Sequence, residues 1–278
     1  MKFYKKTKRI IFYSIIVILI AIFLLYILRS FKLKESFDNY ADIDSYNINY
    51  YVITMGQPIR LENIQKQTER LNTNGKNIVV NKIDAIRGDD LDMEELASTG
   101  IIPTEVLTEP VFNGFIRGKD KMIRRKYEVG CYMSHVKSMQ AIADSNADYG
   151  IIFEDDFEIQ PEFFNQLEKA MNFLTKNKVD FDILFLGMNG PGIEIKQIGE
   201  NVYKQSCEFS GEYVNCFGLH GYLIPRNKVN NIISKLDTID EIIDEKLLEL
   251  GEEGVFTIYR LIPDIVKQNS GETGSTIR

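Results

Sequence analysis

Residues 149–156 read Tyr-Gly-Ile-Ile-Phe-Glu-Asp-Asp, an apolar run that ends abruptly in three consecutive carboxylates. An unbroken run of large apolar residues is typical of a strand that is buried on both faces. In open α/β sheets, ligands bind outside the carboxyl ends of such strands. The stretch therefore predicts a buried strand that delivers Glu154, Asp155 and Asp156 to a binding site.

The three acids also predict a cation. Adjacent carboxylates repel one another, so the arrangement is costly unless a divalent cation with oxygen preferences, Mg²⁺ or Mn²⁺, lies between them. The alternative is a solvated acidic turn that opens the next helix, where the helix dipole favours acids. Pro161 suits a first helical turn and apolar residues follow it at helical spacing. The acids then precede the helix by several residues, and capping alone explains them poorly.

Composition limits the partners. The 278 residues are 44% hydrophobic, enough for a real core in one large or two small domains. Residues 1–34 hold eight basic residues and no acid, and the remainder carries 25 basic and 40 acidic residues. That acidic body argues against a nucleic-acid partner. Cys131, Cys207 and Cys216 form no CxxC pair, so no structural zinc is expected; the last two either form a disulfide or stay free thiols.

The amino-terminal region predicts a membrane anchor. Residues 10–28 contain nineteen residues without a charge, and a helix of that length spans roughly 28 Å, about one bilayer core. No small-residue cleavage site follows, so we expect the anchor to stay. The basic residues before it favour a cytoplasmic amino terminus and a body on the lumenal or exterior side.

The remaining chain reads as a single catalytic-type domain. We predict a cytoplasmic tail at 1–9, the anchor at 10–28, a stem at 29–48 and a globular domain at 49–278. Strand-like and helix-like segments alternate from residue 50 onward, which predicts an α/β fold with a parallel sheet. The polar tail from Gln268 is expected to be mobile.

Several short elements follow one another in a recognisable order. They are Tyr-Val-Ile-Thr-Met at 51–55, Lys-Ile-Asp-Ala-Ile-Arg-Gly at 82–88, Gly-Cys-x-x-Ser-His at 130–135 and Ile-Phe-Glu-Asp-Asp at 152–156. This order resembles glycosyltransferase family twenty-five, the group of lipooligosaccharide and collagen galactosyltransferases. The Gly-Cys-x-x-Ser-His element is its specific part. Agreement continues at 182–187, 221–222, 243–247 and 263–268.

The resemblance implies a GT-A type, Rossmann-like nucleotide-diphospho-sugar transferase domain, an inverting transfer and, usually, Mn²⁺ at the acidic motif. A bound divalent metal neutralises the charge that develops on a sugar-diphosphate leaving group. On this reading Asp156 is the best metal ligand, with Glu154 and Asp155 on the metal or on the donor's ribose.

The same resemblance suggests further contacts with the nucleotide. Arg60 and Asp84, at the ends of the first two strands, are candidates; the alternative for Arg60 is a surface helix residue. His135 either donates to the diphosphate or is a core histidine satisfied with Ser134. His220 is read as a core residue, because the family pattern does not support a contact there.

Inverting transfer also needs a general base from a segment other than the metal ligands. Asp244 meets that need, since it lies late in the chain in Ile-Asp-Glu-Lys-Leu at 243–247, which resembles a late element of the family. Asp240 is the rival, while Glu241 and Glu245 require another helix face. The alternative is that all four acids solvate an amphipathic helix.

The sequence thus predicts a membrane-anchored, Mn²⁺- or Mg²⁺-dependent enzyme that moves a hexose, galactose or glucose, from a UDP-sugar. The acceptor is a hydroxyl of a glycan, a lipid-linked glycan or a protein. A non-catalytic sugar-binding relative of the same fold is the alternative. A two-metal phosphoesterase would need more ligands than two scattered histidines supply.

Overall fold

The structure of the protein is a computed structural model. It describes residue 23 and residues 42–107, 121–190, 194–206, 209–210, 213–214 and 216–269. The chain divides into two units, Met1–Asp42 and Ile43–Arg278. The predicted tail and anchor lie outside the described residues, apart from Phe23. Among the residues described, no helix is long and apolar enough to cross a bilayer.

The second unit alternates helices and strands. Its helices are Pro58–Leu71 (α1), Met93–Ser98 (α2), Lys121–Ala143 (α3), Phe163–Lys176 (α4), Arg226–Ile233 (α5) and Ile243–Glu252 (α6). Its strands are Ile48–Thr54 (β1), Val80–Asp84 (β2), Tyr149–Glu154 (β3), Phe157–Ile159 (β4), Ile183–Asn189 (β5), Glu194–Gln197 (β6), Val202–Ser206 (β7), Phe209–Ser210 (β8), Tyr213–Val214 (β9), Phe217–Pro225 (β10), Ile258–Leu261 (β11) and Val266–Gln268 (β12).

The described strands include an eight-stranded mixed sheet in the order β2-β1-β3-β10-β5-β11-β7-β6. β1 is parallel to both β2 and β3, whereas β10 runs antiparallel between β3 and β5. The amino end of β10 therefore lies at the same sheet edge as the carboxyl end of β3. This arrangement confirms the α/β class. The sheet is mixed and Rossmann-like, whereas the sequence predicted parallel pairing only.

Helices cover both faces of the sheet. Apolar residues of α3, α5 and α6 share one core with Ile152 and Tyr222, while those of α1 and α4 share another with Ile151 and Phe153. Successive residues of β3 thus enter opposite cores, as strand geometry requires. Ile151, Ile152 and Phe153 are fully buried, which confirms the predicted doubly buried strand.

Local chemistry bears on the first residues of β2 and α3. β2 begins at Val80; two residues earlier, the Asn72 side chain accepts a hydrogen bond from Ile78 N (2.6 Å) and donates one to Ile78 O (3.0 Å). α3 begins at Lys121, and good helix formers fill its first turns.

The chain end near the site departs from prediction. Gln268 was expected in a mobile tail, but β12 pairs antiparallel with β4 and sets Gln268 opposite Phe157. Ile265, which directly precedes β12, also donates from its N to Leu186 O of β5 at 2.8 Å, and this holds the start of β12 in place. The globular unit begins at Ile43, whose buried side chain joins the core against α4. Cys216 is in a disulfide bond, and Cys207 lies outside the described residues.

Candidate active site

A cleft opens at the carboxyl edge of β1, β2 and β3. Its walls come from the ends of β1 and β3, the loop after β2, one side of α3 and the end of β12. The lining residues are Ile53, Thr54, Met55, Ala85, Ile86, Arg87, Gly88, Tyr127, Cys131, Ser134, His135, Glu154, Asp155, Asp156 and Gln268. The cleft therefore contains His135 and all three predicted acids.

A buried arginine holds two of the acids. Arg60 on α1 is 1% exposed, and its Nη1 lies 3.1 Å from Asp155 Oδ1 and 3.1 Å from Asp156 Oδ2. The surface-helix alternative for Arg60 is thus excluded. Arg60 is not among the residues that line the cleft, so in this structure it acts through the acids that it pairs with.

The acids occupy a tight turn between β3 and β4. The rings of Phe153 and Phe157, on either side of it, stack with centroids 4.4 Å apart and an interplanar angle of 9°. Asn63 of α1 donates to Asp155 O at 2.9 Å and to Phe157 O at 3.0 Å. The stacked rings and the hydrogen bonds from the Asn63 side-chain amide hold the turn in place, and this fixes the direction of the carboxylates.

Asp156 has the geometry expected of a cation ligand. Its Oδ2 pairs with Arg60 and accepts a hydrogen bond from Gln268 Nε2 at 3.2 Å. Its Oδ1 is buried and has no hydrogen-bond partner among the described residues. A buried carboxylate oxygen without a partner is costly, and oxygen donors suit Mg²⁺ and Mn²⁺. The residues present therefore fit a hard divalent cation.

Glu154 belongs to a different network. Its Oε1 lies 3.5 Å from His135 Nε2, and His135 Nδ1 lies 2.8 Å from the Tyr222 hydroxyl. His135 is 1% exposed, so it is a buried histidine that also lines the cleft. Its partners are Tyr222 and Glu154, whereas Ser134 is engaged elsewhere.

The Gly-Cys-x-x-Ser-His element joins α3 to the loop after β2. A Cβ on Gly130 would lie 2.6 Å from Ile86 O, and one on Gly88 would lie 2.5 Å from Lys126 C. Ser134 Oγ accepts from Ile86 N at 2.8 Å and donates to Gly130 O at 2.6 Å. The two glycines allow the close approach, and the serine fixes the loop against the helix.

The pKa shifts separate the acids. Burial raises the pKa of Asp155, with Arg60 and Thr54 opposing the change. Burial and then Glu154 raise the pKa of Asp156, against Arg60 and Gln268. Burial also opposes ionisation of Glu154, but His135, His220 and Arg60 together lower its pKa. Glu154 is therefore the one of the three acids whose pKa is lowered rather than raised.

Asp84 takes a different place from the acids. It ends β2 beside Thr54 of β1, its side chain is exposed, and Lys137 Nζ donates to its main-chain oxygen at 2.8 Å. It does not line the cleft, although the next four residues of the loop do.

Asp244 lies in the first turn of α6 and is half-buried. Its Oδ2 accepts from Gly218 N at 2.8 Å and its Oδ1 from Glu245 N at 3.1 Å. Burial and the nearby Glu154 raise its pKa, and these two backbone hydrogen bonds oppose the rise. Asp244 is thus set at the same sheet edge as Glu154, although it does not line the cleft.

Its rivals have other neighbours. Asp240 pairs with Lys246 Nζ at 3.0 Å. Burial raises the pKa of Glu241 and of Glu245 to about 7, in each case with help from nearby carboxylates. Glu245 is buried, so the acids of α6 are not simply a solvated helix face.

Sequence reasoning missed several groups of the cleft. Gln268, Thr54 and Tyr222 bind the acids or His135, and Arg87 places an exposed guanidinium in the lining. Position could have indicated Thr54, because it ends β1 next to β3. Gln268 and Tyr222 were present in the matching elements, but nothing local marks either one as a site residue.

The structure is that of an α/β protein with a cluster of carboxylates in a cleft at the carboxyl edge of its sheet. The model of glycosyltransferase family 25 (LPS biosynthesis protein) matches residues 47–247. The chain belongs to this family.

Curated relatives match over shorter segments. Procollagen galactosyltransferase 1-A of Xenopus laevis is 27% identical over 107 residues, which cover 38% of this chain and 16% of that protein. The inactive glycosyltransferase 25 family member 3 of Homo sapiens is 31% identical over 62 residues, which cover 22% of this chain and 10% of that protein. The matches thus span a sixth or less of these relatives' length.

Alignments with solved structures have low TM-scores and low sequence identity. The inositol-1-phosphate CTP transferase of T. maritima aligns with a TM-score of 0.40 and 13% identity, over 78% of this chain and 85% of that one. Apo UDP-glucose pyrophosphorylase aligns with a TM-score of 0.40 and 11% identity, over 77% and 90%.

Replacing Arg60 tests the buried ion pair. We expect Arg60→Met to lower the free energy of unfolding by about 3–5 kcal/mol at neutral pH, because it leaves two buried carboxylates without their cation. This loss of unfolding free energy should become smaller as the pH falls toward 3.8, the ordinary pKa of aspartate, since protonation removes the uncompensated charge. Chemical denaturation across this pH range measures both effects.

Arg70→Met is the matched control. Arg70 lies on the same helix, and its Nη1 is 3.0 Å from Glu158 Oε1, but both side chains are more than a third exposed. Such an exposed pair contributes less than about 1 kcal/mol. Equal losses in the two variants would contradict a special role for the Arg60 pair.

Proposed function

We propose that this chain is a metal-dependent inverting hexosyltransferase of the GT-A type. It moves galactose or glucose from a UDP-sugar to a hydroxyl of a glycan, a lipid-linked glycan or a protein. The observation that carries the proposal is the acid cluster at the end of β3, with a buried Asp156 oxygen that lacks a partner among the described residues. Family membership supplies the reaction class.

The acids account for the proposed cation. Asp156 and Glu154 would hold Mn²⁺ or Mg²⁺, and the cation would offset charge on the departing diphosphate. Asp155 keeps its ion pair with Arg60 and its hydrogen bond with Thr54, so it maintains the turn. We assign to it the contact with the donor's ribose.

The cleft also offers positive charge for the donor. Arg87 lines the cleft and is exposed, and a guanidinium binds phosphate oxygens in a bidentate manner. We assign the diphosphate contact to Arg87 rather than to Arg60, whose Nη1 is already engaged by Asp155 and Asp156.

Asp244 is the proposed general base. As the acceptor hydroxyl attacks the anomeric carbon, its proton passes to a carboxylate oxygen of Asp244 while the bond to the diphosphate breaks. Burial and Glu154 raise the pKa of Asp244, which makes its carboxylate a stronger base than an exposed aspartate. The amides of Gly218 and Glu245 hold its two oxygens in place.

A non-catalytic sugar-binding role is the second candidate. It is favoured by the relatives that are named inactive and opposed by the intact acids of this chain. A panel of nucleotide sugars, each tested with and without Mn²⁺, separates the two. Donor turnover with any sugar excludes the second candidate, whereas binding without turnover supports it.

The Asp156→Asn variant tests the cation site. We expect metal-dependent turnover to fall by about 10²–10³-fold, because one charged ligand is lost from the site. Asp148→Asn is the control, since this exposed acid immediately precedes β3 and is remote from the cleft. Retained activity with unchanged metal dependence in Asp156→Asn would exclude the metal role.

The Asp244→Asn variant tests the base. Transfer should slow by about 10²–10⁴-fold with little change in donor affinity. Asp240→Asn provides the comparison, because Asp240 lies just before the same helix but pairs with Lys246. A normal rate in Asp244→Asn, or equal losses in both variants, would remove Asp244 from this role.

We also propose that residues 10–28 anchor the chain, with the catalytic unit on the lumenal or exterior side. The sequence contains no Asn-x-Ser/Thr site, so glycan addition cannot report the orientation. Protease treatment of sealed vesicles should leave the catalytic unit intact. Digestion from the cytoplasmic side would reverse the assignment.

A further inference from the structure

Three side chains in the cleft have the geometry of a second kind of cation site. Cys131, His135 and Glu154 each place one potential ligand atom within 4.8 Å of the others. His135 Nε2 and Glu154 Oε1 are 3.5 Å apart. Two ligands at about 2.0–2.1 Å from a tetrahedral Zn²⁺ are separated by roughly 3.4 Å. The observed spacing therefore leaves room for such an ion.

The donor set differs from that of Asp156. Cys131 and His135 are four residues apart on α3, so their side chains share one face of the helix, and Glu154 approaches from the end of β3. Sulfur and imidazole nitrogen are donors that Zn²⁺ accepts readily, whereas Mg²⁺ and Mn²⁺ favour oxygen. Cys131 belongs to no CxxC pair, so cysteine spacing alone does not indicate this Cys–His pair.

The second ring nitrogen of His135 is already oriented. His135 Nδ1 lies 2.8 Å from the hydroxyl of fully buried Tyr222. Metal-ligating histidines engage their other nitrogen in this way, which fixes the ring and its tautomer. In the tautomer that donates its Nδ1 proton to Tyr222, His135 presents a lone pair on Nε2 toward Glu154 Oε1. Two acceptors that face each other need a cation or a proton between them.

A second buried histidine lies close to Glu154. His220 directly precedes Gly221, which pairs with Phe153, so His220 lies near the carboxyl end of β3 and on the same face of β10 as Tyr222. His220 is 2% exposed, and its Nδ1 has no hydrogen-bond partner among the described residues. It acts electrostatically on Glu154.

We propose that Cys131, His135 and Glu154 form a binding site for a thiophilic divalent cation such as Zn²⁺, with its fourth position open. Three protein ligands and one open position are the usual arrangement of a zinc ion that exchanges water or ligand. The site shares Glu154 with the proposed Mn²⁺ ligands, so the two ions compete for that carboxylate. The inference does not depend on transferase activity.

Metal titration of the full chain tests the site. Zn²⁺ affinity is measured by competition with a chromogenic chelator, and Co²⁺ serves as an absorbing probe because a cobalt–thiolate bond gives a charge-transfer band. We expect a single tight Zn²⁺ and a thiolate band with Co²⁺. Cys131→Ser should lower the affinity by more than about 10²-fold and remove the band, and Tyr222→Phe should lower it by about 10–100-fold.

Asp156→Asn is the matched control, since Asp156 lies in the same cleft but outside the three ligands. It should retain the Co²⁺ band. Loss of Zn²⁺ binding in Asp156→Asn, with binding retained in Cys131→Ser, would place the ion on the acids and overturn the proposal. Absence of the band in the wild-type chain would overturn it as well.

A measurement on the wild-type chain covers the case in which a variant fails to fold. Cys131 is a free thiol that lines the cleft, so Zn²⁺ should slow its alkylation, whereas Mg²⁺ should not. Peptide mass spectrometry assigns the modified position. An alkylation rate at Cys131 that is equal with and without Zn²⁺ would mean that an imidazolium–carboxylate pair, and no metal, explains the contact between His135 and Glu154.

Discussion

The pairing of one buried guanidinium with two buried carboxylates determines how the edge of this sheet is built. A strand buried on both faces cannot end in charged residues unless their desolvation is compensated. Arg60 supplies part of that compensation for Asp155 and Asp156. Since the guanidinium belongs to α1, this helix must lie against the turn that follows β3. The position of the acids is therefore coupled to the packing of an element ninety residues earlier in the chain.

The rest of α1 is organised around the same turn. Asn63 donates to two main-chain oxygens of the turn, and Gln67 Oε1 accepts from Ile159 N at 3.0 Å. Together with Arg60 these residues form a polar stripe at helical spacing that is buried rather than solvated. From sequence, such a stripe is indistinguishable from a solvent-facing surface, which is why the surface-helix alternative for Arg60 stayed open. Only the neighbouring strand reveals what the polar groups bind.

The sequence was informative wherever the signal was local. Short runs of residues were enough to predict strand β3, the α/β class and the family resemblance. His135, which lines the cleft, was identified from the short Gly-Cys-x-x-Ser-His motif. Information was lost where contacts are distant in sequence. Gln268 meets Asp156 only because β12 pairs with β4, and His220 comes near Glu154 only because β10 pairs with β3. No period or spacing within those segments predicts either contact.

The charges and donor atoms of the cleft are compatible with both proposed cations. Burial holds the pKa values of Asp155 and Asp156 above their ordinary range, and Arg60 offsets only part of that effect. Glu154 differs, because its histidine neighbours lower its pKa and keep it ionised. An ionised carboxylate with oxygen donors on one side and a thiol and an imidazole on the other can serve a hard or a soft cation. The choice between them then depends on which ion is available and on whether the Cys131 thiol gives up its proton, since burial and the nearby Glu154 raise its pKa.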